Sequence, residues 1–374
     1  MLCIDCRYIR ERPSGISPLV QALVDHVPRL MPEREILLLR HPKAPAPLSR
    51  ASNVRETVVR QEANGPATLF WLPQVVDLRG VGLFHATFNI LPTGLSMPTV
   101  VTLCDVMWMK HADWAQAPGA WGYVERLFYQ HGIRRTLRHA TRIAAISQAT
   151  AQEIGTLDLD AERRTRVTLL GVSTDFRVLD DRARVDAARA RWVPGAERYV
   201  LTVGQYAGYK NHATVVRAFA RAYRERPDIH LALVQRLGPG ERALRPLAAS
   251  LGIADRVHFL SGVPFGDLVA LYNGALALCH PSLYEGFGNP PSEALACGCP
   301  VVTSNRSSMP EVSGDAALYV DPESDDDVAH ALTRVAFEPG LAEGMRARGL
   351  VRAAELSWEA FARANVAVYR EILG

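Results

Sequence analysis

Short apolar runs alternate with segments of helical spacing along the whole chain, and this alternation leaves few folds open. The runs LCIDC, EILLLR, GLFHAT, TVVTLC and RIAAIS read as buried strands, with helices between them such as Ser17 to Leu30 and Trp121 to His139. Strands that are apolar throughout and separated by helices belong to a parallel sheet covered on both faces. Near Gly171 the pattern loosens into GVSTDFRVLDDRARVDAARARW, polar and rich in arginine, before YVLTVG opens a second series through HLALVQ, RVHFLS, ALALCH, PVVTSN and AALYVD. At 374 residues the chain exceeds the usual size of one domain. The expectation is an α/β protein of two Rossmann-like doubly wound domains facing a cleft, over residues 1–175 and 185–356, with the boundary between about Val172 and Arg198. In such sheets ligands bind beyond the carboxyl ends of strands, so the loops that follow strands are where chemistry is expected.

Composition narrows the class of partner. Hydrophobic residues at 48% and charged residues at 22% are those of an ordinary globular protein, which argues against long disorder. The 42 basic residues are nearly balanced by 39 acidic ones, so no nucleic-acid partner is expected. The uncharged stretch Gly80 to Cys104 has the length of a membrane span, but Asn89, Pro92, Gly94 and Pro98 interrupt it, and two buried strands joined by a loop account for it better. The start MLCIDCRYIRERPSG lacks the order of an export signal, and the six cysteines hold one C-x-x-C, Cys3 and Cys6, with no second pair and no histidine nearby. Packed, reduced thiols in the cytoplasm are expected, without a metal.

Two places could carry chemistry. Lys210 follows the strand YVLTV and precedes a helix with apolar positions Val215, Val216, Phe219, Ala222 and Tyr223, and Asn211 reads as its N-cap. A cation at the mouth of a helix N-terminus suits a phosphate, although a solvated lysine fits the same letters. The glycine spacing is not that of a Walker loop. In LYEGFGNPPSEALACGCPVV, Glu285 and Glu293 flank a glycine and proline turn after the strand ALALCH, with Asn289 as the cap and Pro290 as the first residue of a helix that ends at Gly298. Eight residues apart, the two carboxylates serve different parts of one ligand, or one is a helix-dipole glutamate and the other an exposed loop residue; spacing alone favours the second view. One could clamp vicinal hydroxyls while the other faces an oxocarbenium-like centre, with Gly286 and Gly288 admitting a close backbone approach.

The run HPSLYEGFGNPPSEALACGCPVVTSNRSSMPEVSGDAALYVDP closely resembles the signature region of retaining GT-B glycosyltransferases of family 4, the group 1 glycosyl transferases. VGQYAGYKNH looks like their phosphate site, VHFLSGVP like their base-contacting strand, and IDCRYIRERPSGIS like their first strand and glycine loop. VVTLCDVMWMKHADW, AAISQATAQEI and LLGVSTDF follow in family order, so the likeness covers nearly the whole chain. The resemblance implies that Glu293 holds the ribose hydroxyls of a nucleotide sugar and that Glu285 lies by the transferred sugar. It further implies that the backbone of Phe287, Gly288 and Asn289 touches sugar or phosphate, that Lys210 meets the diphosphate and Gly15 the same group from the other domain, and that Gly204 belongs to the donor site. The last helix, Trp358 to Leu373, with apolar positions at Phe361, Ala364, Val368 and Ile372, is then the segment, 357–374, that crosses back to the first domain.

Three positions depart from the family pattern. Tyr209 stands where a basic residue is common, which leaves Arg7, Arg10 or Arg12 to supply a second cation. Cys104 replaces the histidine that often precedes Asp105, and Ser17 and Pro18 replace a glycine and an arginine. The implied reaction is transfer of a sugar, with mannose the first guess, from a nucleoside diphosphate sugar to a glycan or lipid-linked acceptor in polysaccharide assembly. Configuration is retained and no cofactor or metal is needed. The departing phosphate takes the acceptor proton, and Asp105 orients the acceptor or assists as base, or merely caps a turn. The rivals are a catalytically silent nucleotide-sugar-binding subunit, and a metal-dependent transferase using Asp158 and Asp160, although Asp160 reads better as a helix cap. On the helix from Trp121 to Ala140, His131, Arg134, Arg135 and Arg138 form a basic side that suits an anionic surface at the inner membrane or a solvated face. Trp108 and Trp114 suit a sugar or the core.

Overall fold

The computed structural model describes residues 1–10, 15–115, 119–235 and 238–374, so Arg12 lies outside the described residues. The chain divides into two compact units, Met1–Gly171 with Ser357–Gly374, and Val172–Leu356.

The first unit is built on β1 (Leu2–Asp5), β2 (Ile36–Arg40), β3 (Val54–Val58), β4 (Leu83–Ala86), β5 (Thr99–Leu103), β6 (Arg142–Ala145) and β7 (Thr165–Val167). These pair in parallel in the order β3-β2-β1-β4-β5-β6-β7. β4 and β5 are the two strands of the uncharged Gly80 to Cys104 stretch, and every residue of both is buried. The outer strands VRETV and TRV contain charged residues and are only partly covered, which is why apolar pattern alone passes over them. The Trp358–Leu373 helix is capped by Ser357, whose Oγ accepts the Ala360 N–H, and buries Phe361, Asn365, Val368 and Tyr369. It packs along the Ser17–Leu30 helix, and the Tyr369 hydroxyl lies 2.6 Å from Nδ1 of the buried His85 on β4. Within this unit Asp158, not Asp160, is the cap: its Oδ1 accepts the Ala161 N–H at 2.9 Å, while Asp160 sits in the first helical turn and pairs with Arg163 at 3.3 Å.

The second unit holds β8 (Arg198–Val203), β9 (Ile229–Val234), β10 (Val257–Leu260), β11 (Ala277–His280), β12 (Val301–Ser304) and β13 (Ala317–Val320). They pair in parallel in the order β10-β9-β8-β11-β12-β13. The strand period is two, so Val200 of β8 enters one core with Val215, Phe219 and Leu332, while Tyr199 and Leu201 enter the opposite one with Leu271 and Leu295. Each core buries one side of an apolar sheet, at roughly 25 cal/mol per Å² removed from water. Between β8 and β11 the strand order reverses, so the loops leaving their carboxyl ends diverge and leave a crevice. All six cysteines are buried free thiols, and burial raises Cys3 and Cys6 well above the usual thiol value.

Candidate active site

The crevice of the second unit is built by loops that tie themselves together. Gly204, directly after β8, has φ +149° and donates its N–H to Val234 O at 3.0 Å. A short 3-10 turn, Gly208–Lys210, leads to Asn211 in the left-handed region at φ +59°. Asn211 makes no side-chain cap to the His212–Ala222 helix, contrary to its position in sequence. Its amide instead donates to Pro281 O at 3.1 Å and Pro322 O at 2.6 Å, joining the loops after β8, β11 and β13, because those buried carbonyls have a stronger claim on it than the helix end does. A second tie runs from Leu283 N–H to Tyr209 O at 2.7 Å.

These ties carry the Lys210 ammonium to 2.6 Å from Glu285 Oε1, with side-chain exposures of only 14% and 10%. The same oxygen lies 2.9 Å from His280 Nε2, at the end of β11, and that nitrogen also meets Ser282 Oγ at 3.1 Å. Burial opposes the charge on Glu285, but Lys210 and the His280 hydrogen bond outweigh it and hold the carboxyl well below its usual range. Burial likewise opposes the Lys210 ammonium, and the Glu285 charge reverses that and raises its pKa. Burial lowers His280 and favours its neutral form. The Tyr209 ring, 5.3 Å from the ammonium, is an aromatic contact at the position where the family pattern has a basic residue. The Glu285 backbone is clamped from the loop after β12. Its N–H donates to Ser307 Oγ at 3.2 Å, and its carbonyl accepts from Ser307 Oγ at 2.5 Å and Ser308 Oγ at 3.0 Å. Ser308 also donates to the carbonyl of the buried Phe287 at 2.6 Å. Gly288, at φ +107°, packs so tightly that a Cβ there would collide with Met309 Cε.

Gly288 is also the N-cap of the Asn289–Ala296 helix, so Asn289 is its first residue and not the cap. Among the described residues the N–H groups of Phe287, Gly288 and Asn289 meet no acceptor, so they stand at the positive end of that helix as donors for an anion or hydroxyl. Glu293 lies on the same helix, and its Oε2 accepts from Tyr272 OH at 2.8 Å. Burial dominates here and pushes its carboxyl up to about 7, with the tyrosine hydrogen bond as the opposing influence. His280, Tyr272, Ser307 and Ser308 were missed from sequence. A histidine closing an apolar strand five residues before Glu285 was the one local sign.

In the first unit, Asp105 follows β5, and its Oδ1 accepts the Met107 N–H at 3.0 Å, capping a turn. Gly15 is exposed ahead of the Ser17–Leu30 helix, and a Cβ there would meet nothing within 4 Å. Arg7 is no spare cation: it is wholly buried, pairs with Asp5 at 2.6 Å, and donates to Gln61 O at 2.9 Å and Thr68 Oγ1 at 2.8 Å. Arg10 is paired with Glu62. Trp108 stacks on Tyr129 at 4.9 Å and Trp114 on His111 at 4.2 Å, so each indole has one face covered.

Known proteins resemble this chain. Over 248 residues the chain is 33% identical to the MMP alpha-(1->4)-mannosyltransferase of Mycolicibacterium hassiacum, covering 64% of this chain and 56% of that protein. Over 251 residues it is 30% identical to the O-antigen chain mannosyltransferase B of Escherichia coli, covering 65% of this chain and 64% of that one. The chain thus spans between half and two thirds of the length of these curated relatives. Among solved structures, WaaG, a glycosyltransferase involved in lipopolysaccharide biosynthesis, superposes with a TM-score of 0.72 over 100% of both chains at 18% identity, a likeness of GT-B fold. Residues 186–350, which hold Lys210, Glu285 and Glu293, match the family description Glycosyl transferases group 1.

Proposed function

We propose that this chain is a retaining, metal-independent hexosyltransferase that moves a sugar, mannose foremost, from a nucleoside diphosphate sugar to a hydroxyl of a glycan or lipid-linked acceptor in polysaccharide assembly. The observation that carries the reading is the Lys210, Glu285 and His280 cluster at the strand-order reversal of the second unit, beside the start of the Asn289–Ala296 helix. Two relatives named as mannosyltransferases support the choice of sugar. In this reading Lys210 and the N–H groups at Phe287 to Asn289 meet the diphosphate, and Gly204 and Gly15 let it approach backbone closely. Glu293 takes the ribose hydroxyls. Glu285, kept anionic, faces the positive charge that grows at the anomeric carbon. The bond from that carbon to the diphosphate oxygen breaks while the acceptor oxygen bonds on the same face, and the acceptor proton passes to the departing phosphate oxygen. Asp105 orients the acceptor. The setting proposed is the cytoplasm, at the inner membrane surface; among the described residues no helix is long and apolar enough to cross a membrane.

The test is a panel of nucleotide sugars screened by thermal shift, followed by anomeric NMR of the product in the presence of chelator. A cognate donor at about 100 times its dissociation constant stabilises by roughly 2.7 kcal/mol. An α-linked product from an α-linked donor, formed at full rate in chelator and lost in a folded Glu285→Ala variant, is the expected outcome. Inverted product, or activity abolished by chelation, overturns it.

A further inference from the structure

We propose that Ser307 is a positioning residue: its hydroxyl fixes the peptide groups of Glu285 and so aims the one carboxylate oxygen of that residue which the fold leaves unclaimed. Glu285 follows the buried Tyr284 and precedes Gly286, with Gly288 close behind. Two glycines within three residues give this loop more freedom than a reacting carboxylate tolerates. The Ser307 hydroxyl answers on both sides of the residue, accepting the Glu285 N–H at 3.2 Å and donating to its carbonyl at 2.5 Å. With both peptide groups held, the side chain leaves the backbone in one direction. Its Oε1 meets Lys210 at 2.6 Å and His280 at 2.9 Å, while among the described residues Oε2 meets no donor. That second oxygen is the one left to face the transferred sugar.

Ser307 holds its place at a cost. Its φ is +55°, in the left-handed region that a serine seldom adopts and that glycine adopts freely. Such strain persists where the surroundings over-determine it. Here the Asn305 N–H donates to Val320 O at 3.0 Å and Arg306 pairs with Asp321 at 3.1 Å, so the loop after β12 is rooted at the end of β13. β8 and β12 flank β11 in the sheet, so Lys210 grips the Glu285 carboxylate from one neighbouring strand and Ser307 grips its backbone from the other. A glycine would relieve the strain and lose the hydroxyl. The inference deepens the transferase reading and rests on it for the effect on turnover, whereas the effect on the Lys210 pair does not.

The experiment compares Ser307→Gly with wild type in two measurements: steady-state transfer from the nucleotide sugar that the thermal-shift panel selects, and trace labelling of Lys210 by acetic anhydride, read by mass spectrometry. The variant should melt within a few degrees of wild type, since lost hydrogen bonds are offset by relieved strain. Its kcat should fall about 10- to 100-fold while nucleotide affinity stays close to wild type. Lys210 should label about 3- to 10-fold faster, the gain in free amine for a pKa lower by half a unit to one unit once its carboxylate partner can swing away. Ser307→Thr keeps the hydroxyl on a more strained backbone, so it should melt lower than the glycine variant and yet turn over faster; a role in folding alone would order the two the other way. Unchanged labelling in the folded glycine variant, unchanged kcat beside an active wild type, or nucleotide affinity that falls as far as kcat each overturn the proposal. A wild type that transfers no sugar sinks the transferase reading instead, and the labelling rates then judge the clamp by themselves.

Discussion

Glu285 and Glu293 stand eight residues apart in one strand-loop-helix segment, and the fold treats them in opposite ways. Glu285 is held anionic by two partners that arrive from the ends of β8 and β11. Glu293 has a tyrosine hydroxyl and no cation among the described residues, and its carboxyl rises to about 7. Both are largely buried, so burial alone does not separate them; the arrangement of charge around them does. Their contributions to stability follow with opposite signs. Glu285, depressed in the fold, adds stability above its ordinary value of 4.5 that is lost only as pH falls through the lower folded value. Glu293, raised in the fold, favours its acid form, so its contribution is fullest below 4.5 and drains away as pH climbs toward about 7. A fall from pH 8 to pH 6 therefore neutralises Glu293 and leaves the Lys210 pair untouched.

The sharpest way to break this contrast is to remove the cation. Lys210→Ala leaves Glu285 buried with one neutral histidine, and it removes the ammonium proposed to face the leaving diphosphate. Transfer should fall about 10²- to 10³-fold in kcat/KM, the loss typical of deleting one preorganised electrostatic group. Binding of the nucleoside without phosphates should survive, because that grip is assigned to Glu293. Equal loss of both would show that the two carboxylates form one unit.

Glu293→Gln is the complementary change. A charged hydrogen bond is worth about 1.5 to 3 kcal/mol, so nucleotide affinity should drop roughly 10- to 100-fold while the turnover of saturated enzyme changes less. Wild-type affinity for a nucleoside diphosphate, followed by calorimetry, should weaken as pH falls through 7 and the carboxylate takes a proton, whereas the glutamine variant should be flat. The same pair of proteins should diverge in thermal stability between pH 4.5 and 7, the wild type losing on the order of 1 to 3 kcal/mol relative to the variant as pH rises. A flat wild-type affinity curve would mean that Glu293 is already ionised well below 7, and the contrast between the two carboxylates would dissolve.

How far the sequence reaches into this site follows from the range of each interaction. The strands EILLLR, TVVTLC and YVLTVG could be read because a strand buried on both faces needs unbroken apolar residues, which is a local demand. VRETV and TRV could not, since an edge strand is half solvated and answers to no such pattern. Lys210 and Glu285 were each legible as loop residues after strands. Their 2.6 Å contact was not, because 75 positions separate them and only the parallel pairing of β8 with β11 brings their loops together. Asn211 shows the same limit. Local spacing makes it a cap, and the carbonyls of Pro281 and Pro322, distant in sequence, claim its amide instead. Arg7 seemed available for a ligand because the letters do not show that Asp5, two residues earlier, folds back to hold it.

The finest probe of the comparison is Tyr272→Phe. The Tyr272 hydroxyl donates to Glu293 at 2.8 Å and is the influence that opposes burial at that carboxyl. Deleting one hydroxyl group costs little volume, so packing against Phe176, whose ring lies 5.9 Å away, should persist. What changes is the balance at Glu293: without the donor, burial acts unopposed and the carboxyl should titrate higher still. The pH midpoint for nucleotide binding should then move upward by about half a unit to one unit, which is the size expected from a single neutral hydrogen bond of ~1 kcal/mol. Turnover by saturated enzyme at pH 8.5 should stay close to wild type, because the Lys210 and Glu285 pair is unaltered. A midpoint that stays put, with affinity lost evenly at every pH, would instead make Tyr272 a ligand contact in its own right and Glu293 an ordinary carboxylate.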